Sequence, residues 1–95
     1  MSEVGILLDV LKVQTLPDHV LLLEFENGEK RVFDMTPFLA RKPFDRLKNS
    51  PLFCKASIDY GTVVWPTGID IAPETLYELS KPIQNQDSLF HRIHQ

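Results

Sequence analysis

The chain has one cysteine, Cys54, so no internal disulfide can form, and no paired Cys or nearby His would turn that thiol into a reactive thiolate. Between Phe53 and Lys55 it reads as a buried thiol behaving as a small hydrophobe. The four glycines, Gly5, Gly28, Gly61 and Gly68, lie too far apart to build a phosphate-cradling loop, which argues against nucleotide binding. Long apolar runs are also missing. Val20 to Leu23 is far shorter than the ~20 residues that cross a bilayer, so no membrane span is expected. Residues 1 to 10 hold Glu3 and Asp9 and no basic cluster, so they lack the start of a secretory signal, and a cytoplasmic setting is expected. Nor is there an excess of positive charge. With 13 acidic and 10 basic residues the net charge is -3, which gives no general attraction to nucleic acid or anionic lipid.

What remains is the composition of an ordinary globular chain. At 95 residues, 43% of them hydrophobic and 24% charged, it can build one modest core and no second one. The expected fold is α+β: two antiparallel β-hairpins plus an N-terminal strand form a small sheet, packed with short helices. Residues 1–80 form the single domain, and residues 81–95 a linker and a short C-terminal tail able to become helical.

Val10 to Leu16 reads as the first strand, with Leu11 and Val13 alternating against Lys12 and Gln14 before the turn at Pro17-Asp18. The next strand, from His19 to Glu26, runs into Asn27-Gly28, a type I′ hairpin signal that demands positive φ at both residues. A two-residue turn sets Leu23 opposite Val32, Leu22 opposite Phe33, and Glu24 opposite Arg31 as a cross-strand ion pair. Thr36-Pro37 and Ser50-Pro51 each place a capping hydroxyl before a proline and predict two short helical turns. Pro43 between them breaks the segment, and Phe44 with Leu47 supplies an apolar pair. A second hairpin turns at Tyr60-Gly61, with Ile58 facing Val63 and Ala56 facing Trp65, and Pro66-Thr67-Gly68 then breaks the ladder. A helix opens at Pro73, where Glu74 meets its positive end, and runs through Ser80. The expected core is Leu23, Phe25, Val32, Phe53, Ile58, Val63, Trp65, Leu76 and Leu79.

The run from Asn27-Gly28 to Asp34, then Phe44 with Leu47, Leu52-Phe53, and above all Gly61 to Tyr77 with its Trp65-Pro66-Thr67-Gly68-Ile69-Asp70 stretch, carries a resemblance. These residues resemble family 2442 of the domains of unknown function, a bacterial family, over roughly residues 9 to 78. The resemblance implies an α+β fold, a prokaryotic cytoplasmic setting and no established enzymatic activity. Some relatives look antitoxin-like because they pair with a small toxin-like protein, and others carry an added helix-turn-helix domain. The residues after Ser80 are too few for that extra domain, which puts autonomous DNA binding in doubt.

Residues of chemical interest have structural readings beside the functional ones. Asp34, Asp59, Asp70 and Glu74 sit where turns and helix starts favour carboxylates, so general acid–base work is not assigned to them. Asp70 is expected to accept backbone N–H groups at the turn it adjoins, and Trp65 to anchor the core. Asn27, Gly28, Trp65, Pro66, Gly68, Asp70 and Pro73 are thus read as a structural motif. On a helical tail Asp87, His91 and His94 would align as metal ligands, yet Leu89, Phe90 and Ile93 on the opposite face make an amphipathic docking stripe the simpler account. Arg41, Lys42, Arg46 and Lys48 surround only Asp45 and flank Phe44. Together with Leu89, Phe90 and Ile93 they are the expected partner-binding residues.

The sequence therefore points to a small non-enzymatic protein that recognises a protein partner or itself, antitoxin-like or a regulatory accessory, with no cofactor and no metal. Nucleic acid is unsupported by the net charge, and a nucleic-acid-associated regulator using residues 41–48 is the alternative. An enzyme of unrecognised type comes second.

Overall fold

The computed structural model describes residues 8–83. The readings placed on Asp87, Leu89, Phe90, His91, Ile93 and His94 lie outside the described residues. Two antiparallel sheets organise the chain, one of four strands and the other of three.

Strand β1 (Val10–Leu16) has the expected bounds, but its register against β2 (Val20–Phe25) shifts between Val10 and Lys12. Leu11 is the extra residue of a β-bulge. The expected alternation breaks there: Val10 is buried, Leu11 and Lys12 are both exposed, and Val13 packs on the core. The loop between the strands, Pro17–His19, holds Asp18 and His19 at φ 65 and 61, so β2 starts at Val20 and not at His19.

The hairpin from β2 to β3 (Lys30–Asp34) is one residue out of the expected register. Leu23 faces Arg31, Leu22 faces Val32, Leu21 faces Phe33 and Glu24 faces Lys30. The cause is the loop. Gly28 N donates to Phe25 O at 2.9 Å and Phe25 N to Glu29 O at 2.9 Å, which makes a three-residue loop of Glu26, Asn27 and Gly28. Gly28 has φ 91 and Asn27 stays out of the left-handed region, the pattern of a turn closed by a glycine bulge. The Asn27 carboxamide instead accepts from Glu29 N at 3.0 Å. A slip of one residue exchanges faces. Leu21, Leu23, Phe25 and Phe33 are fully buried, whereas Leu22 and Val32 lie half-buried on the outer face. Glu24 pairs with Lys12 at 4.0 Å, and Arg31 with Glu29 at 2.9 Å, so the expected Glu24–Arg31 pair does not form.

Strands β4 (Ser57–Asp59) and β5 (Thr62–Trp65) turn at Tyr60 and Gly61, both at positive φ, and Ile58 faces Val63 as expected. Pro66–Gly68 does not end this sheet. It is a three-residue hairpin loop with Thr67 at φ 76 and Gly68 at φ 84, and β6 (Ile69–Ile71) continues the ladder with Trp65 opposite Ile69. Asp70 stands exposed in β6 opposite Val64 and is therefore a strand residue and not a cap. Helix α1 (Pro73–Leu79) opens as expected with Pro73 and Glu74 in its first turn. Leu76 is buried, but Leu79 is 59% exposed, because this short helix buries only a narrow stripe. Lys81–Pro82, strand β7, then adds to the sheet edge against Val32 and Arg31, and Ile83 N donates to Lys30 O at 2.9 Å.

Between the sheets the chain makes three 3-10 turns, Thr36–Phe38, Phe44–Leu47 and Pro51–Lys55. Ser50 caps the last, accepting from Leu52 N at 3.0 Å, whereas the first is held by the Asp34 carboxylate on Thr36 N at 2.9 Å and not by Thr36. The turns aim Leu39, Leu47 and Phe53 into the core. Cys54, next to Phe53, consequently points outward and is exposed, against its expected burial. Trp65 is buried as expected: its indole N–H donates to Phe53 O at 3.0 Å and its ring stacks on Phe53 at 6.2 Å. Ile58, expected in the core, is half-buried at its rim, whereas Val32, also expected there, is half-buried on the outer face of the sheet.

Candidate functional site

The sequence-predicted cations come together on the connector between the sheets. Arg41, Lys42, Arg46 and Lys48 are all exposed, while Leu39 and Leu47 on the same turns are buried and fix the backbone beneath them. Three phenylalanines run into this surface. Phe33, buried in the sheet, meets Phe38 at 5.4 Å, and Phe38 meets Phe44 edge-on at 5.7 Å. The Arg41 guanidinium lies over the Phe38 ring at 5.1 Å, so its charge is presented on an apolar base rather than on a freely rotating stem. Phe38 is the member of this cluster that the sequence reading missed. Its signal was the spacing of three to Arg41 from the end of the turn that Thr36-Pro37 opens.

Backbone hydrogen bonds tighten the segment: Asp45 N donates to Arg41 O at 2.9 Å and Lys48 N to Asp45 O at 3.3 Å. Lys42, Pro43, Asp45 and Arg46 line an open depression of about 340 Å³. Among the described residues, none of the four cations is in an ion pair. A second depression of about 270 Å³ lies on the outer face of the four-stranded sheet over Gln14 and Leu22, framed by Lys12, Glu24 and Lys30.

The carboxylates weighed for acid–base chemistry are dispersed: Asp34 ends β3, Asp59 ends β4, Asp70 is in β6 and Glu74 in α1. No three His, Cys, Asp or Glu side chains gather as a metal site would need among the described residues. The structural motif residues divide between two places. Asn27 and Gly28 form the β2–β3 loop, while Trp65, Pro66, Gly68, Asp70 and Pro73 build the β5–β6 hairpin and the start of α1. Leu89, Phe90 and Ile93, the rest of the expected partner-binding set, lie outside the described residues.

A polar cluster ties the C-terminal elements to the first sheet. Arg31 Nε donates to Ser80 Oγ at 2.6 Å, Nη2 to Ser80 O at 2.9 Å and Nη1 to Glu29 Oε1 at 2.9 Å. Its guanidinium lies 4.2 Å over the Tyr77 ring, whose hydroxyl donates to Glu29 Oε2 at 3.1 Å. Partial burial pushes the Glu29 carboxyl up, but the hydrogen bonds from Arg31, Tyr77 and Asn27 and the Arg31 charge outweigh it and hold the group below its ordinary range. The bond to Glu29, with burial and the carboxylate's charge, raises Tyr77. Ser80 is buried and every group here has a partner inside the fold, so the cluster reads as a clasp and not as a reactive site.

No helix of the described residues is long and apolar enough to cross a membrane. No curated protein and no solved structure matches the chain. A family model does match, over residues 10–82, from the first residue of β1 to the last of β7. With most of its length covered by that match, the chain belongs to the family described as protein of unknown function (DUF2442).

Proposed function

We propose that this chain is a small cytoplasmic recognition protein, without chemistry of its own, that holds a protein partner in an antitoxin-like or regulatory accessory role. The basic connector is its contact face, and the partner surface it fits is acidic. One observation carries this reading: Arg41, Lys42, Arg46 and Lys48 are concentrated on a connector whose backbone is pinned by buried Leu39 and Leu47 and whose surface includes half-buried Phe38 and Phe44. Aromatic rings beside arginines on a rigid base are the composition of an interface centre, where few residues carry most of the affinity. The elements outside the connector carry most of the acidic residues of a chain whose net charge is -3, which disfavours a duplex as the primary ligand.

The test is co-expression of the full chain with the products of its neighbouring genes, followed by size-exclusion chromatography and affinity measurement. A stoichiometric complex should weaken about tenfold or more in Arg41→Glu/Arg46→Glu, which leaves the buried anchors intact and should keep its melting temperature. Unchanged affinity in that variant would remove the connector from the interface. Retention on duplex DNA with a steep salt dependence would favour the nucleic-acid alternative, and turnover of a small molecule the enzyme alternative.

A further inference from the structure

Tyr60 is the most conspicuous residue that this reading leaves unused. It occupies the first left-handed position of the β4–β5 turn at φ 51, a conformation that bulky side chains resist and that Asn, Asp or Gly adopt readily. Its ring is 96% exposed, so no packing inside the fold compensates. An aromatic residue held at an unfavourable backbone angle, with no contact to show for it, is expected where the ring serves something outside the chain.

The surroundings define a surface. Val10 N donates to Gly61 O at 2.8 Å, which joins the two sheets at this turn. One residue beyond that bond on β1 is the bulged Leu11, 53% exposed, and one residue before it on the turn is Tyr60. Asp9 lies against Gly61 so closely that a Cβ there would fall 2.5 Å from its carboxylate oxygen. Glu26 joins through two bonds, its carboxylate accepting from Asp9 N at 3.0 Å and its own N–H donating to Asp9 O at 2.9 Å. Asp59, the residue before Tyr60, is exposed as well. The nearest cation along β1, Lys12, is directed to Glu24 at 4.0 Å. The tip therefore carries two exposed apolar side chains, Tyr60 and Leu11, next in the chain to the bond that joins the sheets, together with the carboxylates of Asp9, Glu26 and Asp59.

We infer that this tip is a second docking surface, and that its occupant is a protein surface rich in arginine and lysine. Charge complementarity fixes the choice. A guanidinium can stack on the exposed Tyr60 ring and reach a tip carboxylate in the same pose, while an apolar neighbour covers Leu11. The surface is separate from the basic connector and opposite to it in sign, so neither assignment depends on the other.

The probes are two synthetic peptides, one alternating Arg with Leu and one alternating Glu with Leu, titrated into the isotope-labelled full chain and followed by NMR. The Arg–Leu peptide should shift Asp9, Leu11, Tyr60 and Gly61 saturably, and the Glu–Leu peptide should leave those resonances in place. Tyr60→Asn should lower the affinity at least about tenfold while raising the melting temperature, since asparagine suits the left-handed position. Leu11→Ser should weaken binding without that gain. The proposal is overturned if Tyr60→Asn melts lower or binds as well, if both peptides bind the tip alike, or if the shifts map elsewhere. It is equally overturned if dilution of the free chain moves tip and connector resonances together, because the occupant would then be a second copy.

Discussion

In the three-stranded sheet, the side chain that locks strands to the rest of the chain is Trp65, whose ring stacks on Phe53 and whose one polar atom reaches a carbonyl at 3.0 Å. In the four-stranded sheet the same position in the architecture belongs to Arg31, whose side chain is 11% exposed and whose three nitrogens hold Ser80 and Glu29. One anchor is large apolar area with a single hydrogen bond, and the other is a fan of charge-assisted bonds with little area. Apolar burial acts at every ionic strength and pH, whereas the guanidinium clasp depends on the charges of its partners. The sheets should therefore fail differently when their anchors are removed.

The largest effect is expected at Trp65. Trp65→Ala should cost about 3–5 kcal/mol and come close to unfolding a domain of this size, read as a loss of the cooperative urea transition. A variant that melts unchanged would show that the two sheets do not share one core. Arg31→Ala should cost about 1.5–3 kcal/mol, because Ser80 is left buried without its donor. Hydrogen exchange separates this from a global effect. Protection should fall first at the amides of Ser80, Lys81 and Ile83, since β7 and the end of α1 are what the clasp retains.

The loops extend the comparison, for each sheet has one hairpin closed by a glycine and one loop that opens with proline. Gly28, at φ 91, has nothing within reach of an added Cβ, so Gly28→Val tests backbone conformation alone and should cost about 1–2 kcal/mol in a denaturant titration. The proline loops are near copies: Asp18 at φ 65 and ψ 30 corresponds to Thr67 at φ 76 and ψ 14. Only their residues differ. Asp tolerates the left-handed region and a β-branched Thr does not, so Thr67→Asn should stabilise by about 0.5–1 kcal/mol. Asp18→Thr should destabilise by a similar amount. Equal responses at the two sites would mean that the loops are not equivalent.

These loops also show what could be read from the chain and what could not. The bounds of β1, the Tyr60-Gly61 turn and the start of α1 at Pro73 were legible because alternation, a turn dipeptide and a helix-start proline are local signals. The connector cations were legible as a group because sequence neighbours on short turns stay neighbours in space. The β2–β3 register was not. Gly28 satisfies both a two-residue turn and a three-residue bulged loop, and the choice rests on the φ of Asn27, which the Glu29 N–H settles through the carboxamide. The turn at Pro17-Asp18 was legible from its residues, but the left-handed His19 that delays β2 to Val20 was not, because no glycine marks it as Gly68 marks the matching position of the Pro66–Gly68 loop. Nor could a two-residue strand containing Pro82 be found by propensity, since it exists through Arg31 contacts 49 residues away in sequence. At the tip, Tyr60 contradicts turn preference, and such a conflict becomes informative only once its exposure is known.

The smallest expected effect, and the sharpest test of the contrast between anchors, is in pH. The fold holds the Glu29 carboxyl below its ordinary range, so its contribution is fully present above the unfolded-state value and fades as the pH falls through the lower folded value. Tyr77 is shifted the other way, so its share persists below the ordinary phenol value and is lost only as strong alkali carries the pH through the raised one. Between these limits the clasp should be insensitive to pH. Comparison of Glu29→Gln with the parent chain should therefore show a small deficit in melting temperature at neutral pH that closes only as the pH falls through the lowered folded value, where the parent carboxyl also becomes neutral. The Trp65→Ala deficit should not follow that course, because neither the indole nor the Phe53 carbonyl titrates. A Glu29→Gln deficit that stays constant into acid would assign the clasp to packing of Arg31 on Tyr77, 4.2 Å from ring centroid to guanidinium, and leave the carboxylate without a part in it.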